Sequence, residues 1–360
     1  MQSRRYETLD ALRGVAALAV VGFHLGTVGL EPGFMPSGFL AVDFFFVLSG
    51  FVVAHAYEAR LSRCLSVRAF MVRRVARLYP LACLGAMLGF VVLLIKHASF
   101  PGRVDSLPRI LVAGVMNGFL LPTFFGGEAS RHDLFPTNGP LWSLFFELVA
   151  NCIWAITLAR CRARILAALA LSSLAALAMA AVAARTVNVG FDTATFVGGA
   201  ARVGLGFPLG VLLYRLHHAD AQAPRGAPLA LAALLLAVLA RPHDAATQMA
   251  WLDLISVAVL LPTIVLLGAA TSAVGRLGAW AGALSYPVYV LHFPILLIAS
   301  GLHQTLLWQV DSHVMSFATI IILIAFAHAA MRLTAPAEQW LHRALAASPT
   351  PDRFASVMKE

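Results

Sequence analysis

The sequence predicts an all-α integral membrane protein of about ten transmembrane helices, with a re-entrant segment at 110–125. Three observations lead there. The 360 residues are 60% hydrophobic and 12% charged, with a mean hydropathy of +0.83, whereas a soluble domain carries about 25% charged residues. The apolar residues fall in runs near the roughly 20 that one span requires. The basic residues collect in short connectors between those runs, the positive-inside pattern of membrane topology.

Taken in order, the spans read as 9–30, 39–57, 78–95, 141–159, 165–184, 197–216, 227–240, 251–268, 284–300 and 314–333. The seventh is short. The run 110–125 is apolar but carries Gly114, Asn117, Gly118 and Pro122. Charge decides its reading. If it does not cross, Arg4, Arg5, Arg13, the block from Arg60 to Arg77, Arg160, Arg162, Arg164, Arg215, Arg225 and Arg276 share the cytoplasmic side with both termini. Lys96, Arg103, Arg109, Arg131, Arg185 and Arg241 then remain outside. If it crosses, the Arg160–Arg164 cluster flips outward and the asymmetry weakens. Non-helical backbone at membrane depth is stable only where protein buries it or where it lines a wet cavity, so this segment is expected to wall a cavity or lie in the interface. Residues 1–333 form the membrane-embedded domain and 334–360 a cytoplasmic tail. The first apolar run is too long for the core of a cleavable signal and reads as a signal anchor.

Several classes are excluded. The net charge of +9 belongs to connectors, not to a basic face, so nucleic acid is not the partner. Cys64, Cys83, Cys152 and Cys161 form no metal-binding spacing, and no metal is expected. There is no phosphate loop and no strong internal repeat, which weighs against transporters built from inverted repeats.

Ionisable residues inside spans are costly and usually functional. Arg13 and His24 are eleven positions apart, so they share a helix face about 16 Å apart along the axis. Asp43 lies in an apolar run at a depth near His24 and needs a partner. It either orients an imidazole or caps the helix start. Arg73, Arg74 and Arg77 end a basic block and suit phosphate, or serve as a topology signal or contact with anionic lipid. Trp142 and Ser143 precede Glu147, and Ser143, Glu147 and Asn151 make a polar stripe that is either site or packing glue. Ser285 and His292 share a face around Pro287 and Tyr289. Arg202 lies inside a span and requires Asp43 or Glu147 as its partner.

In series, these elements resemble acyltransferase family 3, bacterial membrane proteins that acylate surface and secreted glycans and some small molecules. The opening Leu9-Asp10 through Arg13 to His24 is similar to that family's first-helix signature. The segment from Val42-Asp43 to Ser49-Gly50-Phe51 is similar to its second-helix motif, with Ala41 where the family often has Gly. The Arg73–Pro80 block, Trp142-Ser143 with Glu147, and Ser285-Tyr286 with His292 fit later positions. The resemblance covers 9–333 and implies acyl transfer, most simply acetyl, from acyl-CoA to a saccharide hydroxyl, as on an exopolysaccharide, a lipopolysaccharide or a lipid-linked glycan, in the bacterial inner membrane. It implies His24 as base or acyl carrier, Asp43 or Glu147 orienting it, and Arg13, Arg73, Arg74 and Arg77 on the donor. Trp142, Ser143, Arg202, Ser285, Tyr289 and His292 would support the substrates. The appended hydrolase-like domain of some members is not expected here. The competing reading is a transporter or flippase for a lipid-linked saccharide, which would move its cargo without modifying it.

Overall fold

A computed structural model describes residues 6–31, 34–100, 105–124, 133–217, 227–243, 250–271 and 275–346. Among these residues it contains twelve α-helices and one isolated β-bridge, Asp133 to Asp192. The helices are α1 (Glu7–Thr27), α2 (Ala41–Arg63), α3 (Val67–Ser99), α4 (Leu107–Gly118), α5 (Leu141–Ile156), α6 (Ala163–Ala184), α7 (Phe196–Leu216), α8 (Ala227–Leu239), α9 (Ala250–Ile255), α10 (Leu261–Ala269), α11 (Gly275–Thr305) and α12 (Ser312–Ala346). Eight helical stretches are long and apolar enough to cross a bilayer. They are α1, α2 with its 3₁₀ lead-in, α3, α6, α7, α9 with α10, α11 and α12. The remaining sequence-derived spans, α5 and α8, have 16 and 13 residues, about 24 and 20 Å of helix. The span read at 251–268 is α9 and α10 joined by a π-helical turn, Ser256–Leu260.

Local chemistry sets several boundaries. The Ser66 hydroxyl accepts from the Ala69 amide at 3.2 Å and caps α3. Pro108 sits in the first turn of α4, where its missing N–H costs nothing. The run read as re-entrant is α4 followed by a reversal at Leu120, whose φ of 56° is left-handed; Phe125 lies outside the described residues. The 12 residues of α4 make about 18 Å of helix. Buried Asn117 ties that reversal down, donating to Leu121 and Leu134 carbonyls and accepting from Thr137. Helix α12 continues through Pro336 to Ala346 without a break at 333; positions 347–360 lie outside the described residues, as do Arg4, Arg5, Arg103, Arg131 and Arg225.

Side-chain and backbone hydrogen bonds mark two ends of the bundle. At one, Arg160 donates to the Leu61 carbonyl at 3.0 Å, and Arg215 reaches Glu58 and the Cys161 carbonyl, both at 2.8 Å. At the other, Ser37 bonds the Leu239 and Arg241 carbonyls, and Leu134 N donates to Phe191 O. Helix α5 leads toward the first end, and α8 finishes at the second.

Glycines draw two helix pairs together. A Cβ at Gly14 would lie 2.7 Å from that of Ala281, and one at Gly282 would press on Asp10, so α1 and α11 pack nearly backbone to backbone. Gly50, Gly206 and Gly210 do the same for α2 and α7, where an added Cβ would collide with Phe207 O, Phe46 Cβ and Val47 O. These two contacts set the positions of Arg13 on α1 and of the Asp43–Arg202 pair between α2 and α7.

Candidate active site

Helices α1, α2, α3, α5 and α11 enclose a cavity of about 140 Å³. Arg13, Arg74, Arg77, Glu147, Ser143, Ser285 and Tyr289 line it among aliphatic and Phe side chains. Three guanidinium groups and one carboxylate line it, with Asp10 a second carboxylate 3.4 Å from Arg13, so positive charge is in excess, and its volume admits several waters.

Most of these polar groups have a definite partner. The close α1–α11 packing lets Arg13 donate from Nε to Ser285 Oγ at 2.7 Å and from Nη2 to Gly282 O at 2.6 Å, with Asp10 at 3.4 Å. Glu147 Oε1 receives Arg74 Nη2 at 2.6 Å and Ser49 Oγ at 2.7 Å. Asn151 turns back to its own helix at Glu147 O, so only Ser143 and Glu147 of the polar stripe face the cavity. Ser143 Oγ and Tyr289 OH lie 2.6 Å apart, both within reach of Pro140 O. Tyr286 OH donates to Leu78 O. Arg73 reaches the outer wall of the protein rather than this cavity, and one of its buried nitrogens has no protein acceptor.

Beyond Tyr289 the rings continue. The Tyr289 and His292 centroids are 5.9 Å apart, and His292 Nε2 lies 3.2 Å from His24 Nδ1. The surrounding acceptors dictate the tautomers. His292 Nδ1 faces the Tyr289 and Val288 carbonyls at 2.7 and 3.2 Å, and a carbonyl can only accept, so Nδ1 carries the proton and Nε2 is a lone pair. His24 Nδ1 then faces two acceptors, that lone pair and Val20 O at 3.0 Å, so it too carries its proton. In the neutral pair His24 Nε2 is left as the basic nitrogen.

Two placements correct the sequence reading. Asp43 does not face His24. Its two oxygens take Arg202 Nε at 3.0 Å and Nη2 at 2.7 Å, because Gly206 and Gly210 bring α7 onto α2. Arg202, 1% exposed, also donates to the Val189 and Phe39 carbonyls and stacks 5.1 Å from the Trp142 ring. Every edge of the guanidinium is engaged, as a buried charge requires. Nor does Glu147 reach His24; it holds Arg74, which is therefore not one of three equivalent free arginines. The imidazole beside His24 is His292.

Two groups escaped the sequence reading. Pro294 leaves the Val290 carbonyl without its helical N–H, and Asn138 Nδ2 supplies the missing donor at 2.8 Å. The signal was an Asn placed between two apolar runs just ahead of Gly139-Pro140. Fully buried Asp253 pairs with Arg241 and lies 3.6 Å from His243; its signal was a carboxylate inside the run 251–268. No cluster of His, Cys, Asp and Glu able to hold a metal occurs among the described residues.

A family model described as "Acyltransferase domain" matches residues 6–332. "Protein 2 in picA locus" of Rhizobium radiobacter is 38% identical over 160 residues, covering 42% of this chain and 81% of its own. The peptidoglycan O-acetyltransferase OatA of Listeria monocytogenes is 28% identical over 160 residues, 42% of this chain and 24% of its own. The putative peptidoglycan O-acetyltransferase YrhL of Bacillus subtilis is 32% identical over 186 residues, 47% of this chain and 27% of its own. The match thus spans about a quarter of each of the latter two proteins. No solved structure matches significantly.

Proposed function

This chain belongs to acyltransferase family 3 and is an acyltransferase, and we propose that it moves an acyl group, most simply acetyl, from acyl-CoA to a saccharide hydroxyl at the bacterial inner membrane. The acceptor is an exopolysaccharide, a lipopolysaccharide or a lipid-linked glycan. The observation that carries this reading is the cationic cavity whose inner wall, Ser143 and Tyr289, adjoins the His24–His292 pair. A flippase needs no paired imidazoles behind the hydroxyls that wall such a cavity.

Ten spans with both termini cytoplasmic suit this chemistry. The end of the bundle holding Arg160 and Arg215 is then cytoplasmic, and α5 and α8 serve as short spans beside a re-entrant 110–125. Arg77 meets the phosphates of CoA, and the thioester arm enters past Arg13. His24 Nε2 takes the proton of the acceptor hydroxyl while that oxygen attacks the thioester carbonyl. A hydroxyl of Tyr289 or Ser143 donates to the oxyanion. The C–S bond then breaks, and the imidazolium returns its proton to the departing thiolate. The Nδ1–H bonds to Val20 and His292 hold the ring in the required tautomer throughout. Arg74 and Glu147 neutralise one another and keep the cavity wall in place.

The test is free-thiol release from acetyl-CoA by purified protein in detergent, with and without extracted envelope glycan. Wild type is expected to release thiol faster with glycan present, and His24→Ala to fall by about 100-fold while still binding CoA. Silence from wild type with acetyl-CoA and with longer acyl-CoAs would reject the donor assignment and favour the flippase.

A further inference from the structure

The arginine at the cavity mouth faces two chambers. Arg77 lines the inner cavity and also an open pocket of about 590 Å³ between the start of α3 and the end of α12. The outer pocket presents Arg73, Arg77, His342 and Arg343, with Glu338 and Gln339 beside them. Its volume is that of a small-molecule site, and it is the more open of the two. Three guanidinium groups oppose one carboxylate. Arg73 Nη1 is buried there without a hydrogen-bond partner, and a buried donor is costly until an acceptor arrives. Both helices are long enough to build such a pocket outside the hydrocarbon. They have 33 and 35 residues, about 50 Å each against a core of about 30 Å. Arg68 of α3 donates to Leu345 O and ties the two extensions together.

Resting on the donor reading above, we infer that this α3–α12 pocket is a binding site for a 3′-phosphorylated adenosine nucleotide, the headgroup of the acyl-CoA. Arg343 and His342 of α12, with Arg73, take the 3′-phosphate. Arg77 takes the diphosphate at the junction of the chambers, and the pantetheine arm occupies the inner cavity. Glu338 and Gln339 offer acceptors to the adenine amine. The last helix thereby acts as half of the donor site, although its residues carry none of the motifs that mark the chain. An anionic lipid headgroup presents the same phosphate chemistry to the same pocket, and the test separates the two sources.

Binding of CoA and of dephospho-CoA, which lacks only the 3′-phosphate, is measured by calorimetry on full-length protein in neutral detergent and in phosphatidylglycerol nanodiscs. Wild type is expected to prefer CoA by about 10-fold or more, the worth of a charge-assisted contact. The preference is expected to collapse toward unity in Arg343→Ala and His342→Ala, with dephospho-CoA still bound, which also certifies their folding. If wild type binds CoA and the variants keep its preference, the pocket assignment fails while the donor reading stands. If wild type binds no CoA in either medium, the donor reading fails and takes this one with it. If phosphatidylglycerol abolishes the preference in wild type and titrates the same two residues, the pocket is a lipid site and the nucleotide assignment is overturned.

Discussion

At the scale of single residues, the site is decided by who accepts from whom. Because His292 Nε2 is an acceptor for His24 Nδ1–H, a side chain that can still accept should preserve part of the function. His292→Gln is expected to retain more kcat than His292→Leu, with the latter losing about 10-fold and the KM for acetyl-CoA little changed; equal losses would argue for packing alone. Arg202 and Asp43 permit a sharper test. Arg202→Met strands a buried carboxylate and should destabilise by about 3–5 kcal/mol. The double variant Arg202→Met with Asp43→Leu should regain most of that in thermal unfolding. Activity recovered along with stability would assign the pair to structure, whereas a stable but inactive double variant would return Asp43 to the chemistry. Sequence reasoning identified nearly all of these residues, since a charge or imidazole inside an apolar run is conspicuous. It offered Asp43 or Glu147 both to His24 and to Arg202, and of these only the Asp43–Arg202 pairing forms. Depth along a helix can be read from spacing, but Asp43 faces Arg202 and not His24 because of glycines on α7 that contact α2, and inter-helix proximity leaves no trace in one helix's own periodicity.

At the scale of elements, the glycine contacts do the positioning. Gly50→Val would drive a side chain into the Phe207 carbonyl, and overpacking of this kind costs about 1–3 kcal/mol or more. The expected result is a lower Tm and loss of the Asp43–Arg202 bond. Gly14→Leu acts on the other pair: it wedges α1 from α11, so activity should fall further than the Tm shift explains, because His24 leaves His292. A variant with unchanged Tm and full turnover would show that the backbones can separate without consequence. The long spans were legible as runs of apolar residues. The π-helical turn between α9 and α10 was not, since Pro262 and the polar Ser256 disturb a ladder that a hydropathy pattern treats as uniform.

At the scale of the whole molecule, the ten-span reading makes a topological prediction. In a background with the four native cysteines replaced by serine, Arg162→Cys should react with a membrane-impermeant maleimide only after permeabilisation. Ala184→Cys, at the other end of α6, should react in intact cells. The reverse pattern would invert the protein and remove the CoA assignment from the Arg73–Arg77 end. Length and charge point to ten spans, of which eight are long apolar helices here, yet they could not foresee how the segment before α5 is used. That segment lends Asn138 to the carbonyl that Pro294 leaves open on α11. At membrane depth a carbonyl stripped of its donor costs several kcal/mol, and lipid offers no substitute. The segment before α5 and the Pro294 turn of α11 are consequently tied together. A displacement of that segment would therefore be felt at Val290, on the helix that carries Tyr289 and His292, as a lever carries a load across its pivot.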